Sequence, residues 1–269
     1  MKISYVFIEI LVLTGVIYFS FRWFEWKHIF YPDKKISDIP SDFGLKYEDI
    51  TFYSIDDKKL NGWFISANKP LATIIYCHGN AGNISDRIDI AKLLHSMGFN
   101  VFLFDYRGYG KSRGIPGEKG LYLDAEAAYD YLSMRNDVDK GRIVLYGESL
   151  GGGAACNLAL KRKVSAVITF GAFASIADMA DVAFPKIPLK YFITMKFDNI
   201  SKVKDIKCPK LIIHSADDTT VPFDQAKKLF EAASQPKEFF ETSGGHTNDA
   251  LLNNKKFGDK IKNFISEIF

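Results

Sequence analysis

Gly147-Glu148-Ser149-Leu150-Gly151 stands directly behind the β-rich run 142–146 and opens a helical stretch over 150–162. A serine so placed sits on a sharp strand-to-helix turn that lifts its Oγ above the end of a sheet. Glycines two residues before and two after are required, because a side chain at either place would collide with the tight turn. The helix that follows directs the positive end of its dipole toward the serine. At ordinary glycine and serine frequencies the bare pattern arises by chance in roughly one chain in ten of this length. Its reading therefore depends on what surrounds it.

Short β-rich runs lie at about 48–54, 58–65, 71–77, 100–105, 142–146, 164–170, 209–214 and 237–241. Amphipathic helical stretches fall near 84–97, 119–134, 150–162, 223–233 and 254–267. Two leading strands followed by repeated β-α units predict an α/β fold with one mostly parallel, eight-stranded sheet covered by helices. The longest stretch without a strand, about 171–208, holds Pro185, Pro188 and several aromatics and is long enough to form a small cap over a pocket.

A nucleophilic serine needs a base, and the chain has five histidines. His28 lies near the N-terminus, His95 is inside an amphipathic helix, and His78 and His214 sit at strand ends. His246 alone stands in a loop after the last strand, in Gly244-Gly245-His246-Thr247-Asn248, where glycines leave the imidazole room to reach across the sheet edge. A carboxylate is needed to fix the histidine tautomer and to stabilise the imidazolium. The loop after the strand at 209–214 supplies both Asp217 and Asp218, followed by Val221-Pro222. An oxyanion hole needs two backbone N–H groups aimed at the developing charge. One is expected from Leu150, the residue after the serine. The other is expected from the small, flexible loop His78-Gly79-Asn80-Ala81-Gly82-Asn83, with Asn80 as the donor.

These segments together resemble the α/β-hydrolase superfamily, most closely its membrane-anchored members related to serine aminopeptidases and monoacylglycerol-lipase-like esterases. The resemblance runs from about residue 45 to the C-terminus and rests on Y-C-H-G-N-A-G-N (76–83), D-Y-R-G-Y-G-K-S (105–112), G-E-S-L-G-G (147–152), D-x-x-V-P (218–222) and G-G-H (244–246). It implies the α/β-hydrolase fold and a Ser149, Asp218, His246 triad, because the family places its acid three residues before Val-Pro. The chain departs from its relatives at Ser215, where they usually carry glycine; this touches only the local turn. The 105–112 loop is structural in the family.

The N-terminus is a different kind of sequence. Residues 3–21 are nineteen in a row with one charge, Glu9. As a helix they would span roughly 28 Å, about the hydrocarbon thickness of a bilayer. Arg22, Trp23, Trp26 and Lys27 follow at once, as expected of an aromatic and basic border. No small-residue cleavage site follows the apolar run, which argues for an uncleaved anchor rather than a signal peptide. The expected organisation is a membrane anchor over 1–31 (helix about 3–21), a connector over 32–47 and an α/β-hydrolase domain over 48–269. Arg22, Lys27, Lys34 and Lys35 outnumber Lys2, favouring a cytoplasmic domain.

The 269 residues are 47% hydrophobic and 25% charged, ordinary globular values that exclude whole-chain disorder, collagen or coiled coil. Most of the net charge of +3 belongs to the first 35 residues. The nearly neutral body lacks the basic field of a nucleic-acid binder. Cys77, Cys156 and Cys208 read as small core residues. Gly110-Lys111-Ser112 fails as a phosphate-binding loop because Asp105 stands where that pattern requires glycine. Cys77-His78 has no partner pair for a metal, and two Asn-Ile-Ser sequences, at 83–85 and 199–201, are common by chance. The expected activity is acyl-ester hydrolysis on a small-molecule or lipid substrate through Ser149, with no cofactor or metal. Peptidase or thioesterase chemistry on the same residues, and a membrane-tethered binding protein that keeps the fold without catalysis, are the alternatives.

Overall fold

The computed structural model describes residues 2–246, 252 and 254–269. Eight strands form the central sheet: β1 (Glu48–Tyr53), β2 (Lys59–Ile65), β3 (Thr73–Cys77), β4 (Asn100–Asp105), β5 (Ile143–Glu148), β6 (Ala166–Phe170), β7 (Lys210–Ser215) and β8 (Lys237–Thr242). Their spatial order is β8-β7-β6-β5-β3-β4-β2-β1. β1 pairs antiparallel with β2, and β2 antiparallel with β4; every other neighbour is parallel.

Among the described residues, the α-helices with bounds on both sides are α1 (Lys2–Ile29), α2 (Ile88–Ser96), α3 (Glu118–Ser133), α4 (Gly151–Lys161), α5 (Ile176–Ala183), α6 (Asn199–Val203), α7 (Phe223–Ala232) and α8 (Lys255–Ser266). Side chains alternate across each strand, and the two faces bury separate cores. Ile75, Cys77, Phe102 and Leu145 pack toward α3 and α4, meeting Leu121, Ala125, Ala154 and Leu158. Ile74, Tyr76, Val144 and Tyr146 pack on the other face with Leu94 of α2 and with Phe257 and Ile261 of α8. Strands buried on both faces explain why β3 to β7 read as continuous apolar runs.

The apolar N-terminal stretch belongs to a longer helix. In α1, Phe7–Ile29 is long and apolar enough to cross a membrane. Its large apolar residues from Phe7 to Phe19 are exposed, whereas the end of the helix joins the protein body: Ile29 and Phe30 are buried in the α3–α4 core. Tyr31–Pro32 then pairs with Ala81–Gly82 as a two-residue parallel ladder. The segment after it is strapped to the domain, with the Gly110 N–H donating to the Asp33 carbonyl at 2.8 Å. Residues 171–208 contain α5, α6 and a 3-10 turn at Leu189–Tyr191, and this cap covers the C-terminal ends of the strands beside α1.

Candidate active site

β5 ends at Glu148 and α4 begins at Gly151, so Ser149 occupies the connecting turn with φ +50. A non-glycine residue in the left-handed region is strained, and such strain persists only where surrounding structure enforces it. Here the Ser149 N–H is held by the Phe170 carbonyl of β6 at 2.8 Å. The flanking glycines are sterically required: a Cβ on Gly147 would lie 2.7 Å from the Gly152 Cα, and one on Gly151 would run into the Cys77 carbonyl.

Ser149, His246 and Asp218 come together from three loops at the C-terminal edge of the sheet. The His246 Nδ1–H donates to Asp218 Oδ2 at 2.7 Å, which leaves Nε2 to accept from the Ser149 hydroxyl at 3.0 Å. Asp218 Oδ1 accepts the N–H groups of Thr220 and Val221, each at 2.8 Å. Burial opposes ionisation of Asp218, but the bonds from His246 and from those two N–H groups outweigh it and hold its carboxyl below the usual range. A charged acid is thereby maintained behind the imidazole.

The neighbouring aspartate does something else. Asp217 accepts the N–H groups of Gly244 (2.8 Å) and Gly245 (3.1 Å), tying down the loop that carries His246. Those N–H bonds, Gly245 first, hold its carboxyl below the usual value. The Gly244 and Gly245 φ angles of +114 and +79 are what let this loop present both N–H groups to one carboxylate. Thr247 and Asn248 of the same loop lie outside the described residues. His214, also buried, donates from Nε2 to the Val221 carbonyl at 2.8 Å, and burial lowers its basicity.

Asn80 and Leu150 line the same cavity as Ser149 and His246. Among the described residues, neither N–H is engaged by another backbone group. The loop around Asn80 is held from several directions. Its carbonyl accepts from Tyr109 (2.7 Å) and from the Tyr31 N–H (2.9 Å), and its side chain donates to the Ile29 carbonyl at 3.0 Å. His78 Nδ1–H donates to the Gly79 carbonyl at 2.8 Å. Because C=O and N–H point opposite ways in a trans peptide, that bond also aims the Asn80 N–H. Burial pushes His78 down to about 3, keeping it neutral, and pushes Asp105, 3.5 Å away, up to about 8.

Sequence reasoning missed an ion pair behind the serine. Glu148 receives Nε (3.2 Å) and Nη2 (3.0 Å) of Arg87 and the hydroxyl of Tyr76 (2.7 Å). Burial disfavours the charge, yet the Arg87 guanidinium wins and holds the Glu148 carboxyl low. The pair ties the 79–87 segment to the serine turn. Its signal was a glutamate at the end of an apolar strand, since a buried carboxylate requires a cation.

The cavity above Ser149 has a volume of about 410 Å³, within the common range for small-molecule sites. Phe173 and Val221 line it together with Ser149. Phe21, Phe24 and His28 of α1 form one wall, and Ile176, Met179 and Ala180 of α5 form another. The last turns of α1 thus belong to the site. Burial pushes the Cys77 and Cys156 thiols up to about 12, and neither lines the cavity. Among the described residues no cluster of His, Cys, Asp and Glu is arranged to hold a metal.

Residues 72–193 match the profile of a family described by the α/β hydrolase fold. An uncharacterized protein of Mycobacterium tuberculosis is 34% identical over 262 residues, covering 96% of this chain and 92% of its own. The α/β hydrolase domain-containing protein WAV2 of Arabidopsis thaliana is 36% identical over 234 residues, 79% of this chain and 76% of its own. Among solved structures, an esterase of Pyrococcus furiosus superposes with a TM-score of 0.74 at 22% identity, covering 89% of this chain and 97% of the esterase. That last likeness is one of fold.

Proposed function

The chain belongs to the α/β-hydrolase family, and on that premise we propose that it is a membrane-anchored serine hydrolase acting on carboxylic esters. The observation that carries the reading is the chain of bonds from Ser149 through His246 to Asp218, at 3.0 and 2.7 Å, on a serine held at φ +50. Ser149 Oγ attacks the acyl carbonyl while His246 Nε2 takes its proton. The N–H groups of Asn80 and Leu150 receive the oxyanion. Collapse breaks the ester C–O bond, and His246 returns the proton to the leaving alcohol. Water then attacks the acyl-serine by the same route and frees the acid. None of these steps requires a cofactor.

An ester is favoured over a peptide with a free amino terminus. Such a peptide needs a carboxylate for its ammonium group, and Glu25, the one acid lining the cavity among the described residues, is already engaged by Arg22, Thr194 and Met195. The exposed apolar surface of Phe7 to Phe19 supports anchoring by α1, and the basic residues after it support a cytoplasmic domain. Hydrolysis of p-nitrophenyl esters by the full chain in detergent, compared with Ser149→Ala, tests the activity. A loss of more than about 10⁴-fold is expected; equal turnover by both would remove Ser149 from the reaction.

A further inference from the structure

Five α1 residues line the cavity, Phe21, Phe24, Glu25, His28 and Ile29, at the i, i+3, i+4, i+7, i+8 spacing of one helix face. The helix is therefore built into the site along a continuous strip. The large side chains described before it, from Phe7 to Phe19, are lipid-like and exposed. Over residues 3–21 the helix rises roughly 28 Å, close to the hydrocarbon thickness of a bilayer. The cavity wall thus begins at Phe21, where the length a bilayer would cover ends. Trp23, exposed, carries Lys27 over its ring at 4.9 Å, an aromatic-basic pair of the kind found at headgroup level.

The cap supplies an independent observation at the same depth. Ile187, Tyr191 and Phe192 are exposed, and the Phe192 ring lies 6.4 Å from Phe21 of α1. Lys186 and Lys190 flank these apolar residues, as expected of a surface resting among lipid headgroups. Phe184 closes against Phe24 at 6.1 Å between rings. The apolar cavity above Ser149 therefore lies between two elements that both carry exposed apolar side chains.

Resting on the serine-hydrolase reading, we propose that the substrate is a long-chain ester resident in the bilayer. Its acyl chain passes from the membrane into the slot between α1 and the cap, so that α1 is the acyl-binding wall as well as the tether. The carbonyl then reaches Ser149, the ester C–O bond breaks, and water completes the hydrolysis to a fatty acid and an alcohol.

The full chain in phosphatidylcholine vesicles doped with 4-methylumbelliferyl oleate tests this, with p-nitrophenyl butyrate as the soluble comparison and fluorophosphonate labelling to count active sites. The wild type is expected to favour oleate. Phe24→Trp, which narrows the slot, is expected to lower the oleate-to-butyrate ratio by about tenfold or more, the effect of expelling two buried methylenes. The double variant Ile187→Asp with Tyr191→Asp, on the exposed cap edge, is expected to lower the same ratio for vesicle-embedded oleate and keeps the test alive if Phe24→Trp does not fold. A labelled, butyrate-active chain that does not favour oleate, or whose ratio is unmoved by either variant, overturns the proposal. Absence of labelling together with inertness toward both esters overturns the hydrolase reading itself, and this proposal with it.

Discussion

Removing the Glu25 carboxylate should unlatch the cap from α1. Glu25 is 4% exposed and accepts the Thr194 N–H (2.8 Å), the Thr194 hydroxyl (2.6 Å) and the Met195 N–H (2.7 Å), while Arg22 donates to it at 2.9 Å. In Glu25→Ala two backbone N–H groups lose their acceptor in a site where water replaces it poorly. Each such orphan costs about 1–3 kcal/mol, so the local cost is about 2–6 kcal/mol. The contacts bridge 169 residues of chain but join only α1 and the cap, so the effect should be confined there. Hydrogen exchange read by mass spectrometry should show the Thr194 and Met195 amides opening faster by about 30-fold to 10⁴-fold, since about 1.4 kcal/mol corresponds to tenfold. Amides of β5 and β6 should be unchanged. Glu25→Gln, which keeps one acceptor oxygen, should fall between. Unchanged exchange at 194–195, or uniform acceleration across the sheet, would refute the latch.

Asp218→Asn should lower kcat by about 10⁴-fold, the loss expected when the imidazole is left in the wrong tautomer. Asp217→Asn, which disturbs only the loop N–H bonds, should lower kcat by about tenfold at most; steady-state kinetics on p-nitrophenyl butyrate separates the two. Glu148→Gln removes the nearer ion partner of the Arg87 guanidinium, leaving Asp86 at 3.7 Å, and should destabilise the fold by up to about 3–5 kcal/mol, read from urea unfolding. Stability should also carry two opposed pH slopes. Buried Asp105 keeps its proton up to about pH 8, so its contribution is full below its ordinary value near 4 and is lost as pH rises toward 8. Buried His78, pushed down to about 3, contributes above its ordinary value near 6.5 and loses that contribution as pH falls toward 3. Between about pH 6.5 and 8 the His78 slope is absent and the Asp105 slope remains. Asp105→Asn should flatten the urea midpoint across that interval, and an unchanged slope would exclude Asp105 as its source.

The sheet was legible because its evidence is local. Alternation, apolar runs and the glycines around Ser149 each act within a few residues, and the strands emerged close to their expected bounds. His246 was legible by its place in the chain. Choosing between Asp217 and Asp218 from the residues alone was harder, since both lie in one loop one residue apart. The structure separates them by which backbone each carboxylate meets: Thr220 and Val221 for one, Gly244 and Gly245 for the other. Long-range pairings were hidden. Glu148 meets Arg87 across 61 residues, and nothing near either announces the other. The length of α1 was obscured in the same way, because Arg22, Trp23, Trp26 and Lys27 read as a membrane border, and only the structure shows Glu25 between them meeting the cap. α5 did carry a local sign: Ser175 accepts the Asp178 N–H as an N-cap, and Ser-x-x-Asp before an apolar run is a capping pattern.

The central claim is that Ser149 is a nucleophile activated by His246. Reaction of the full chain with a fluorophosphonate, followed by peptide mapping, tests it most directly. One adduct on Ser149 is predicted, abolished in Ser149→Ala and strongly slowed in His246→Ala. A folded, full-length protein that takes no adduct, or takes it on another residue with Ser149 untouched, would contradict the account.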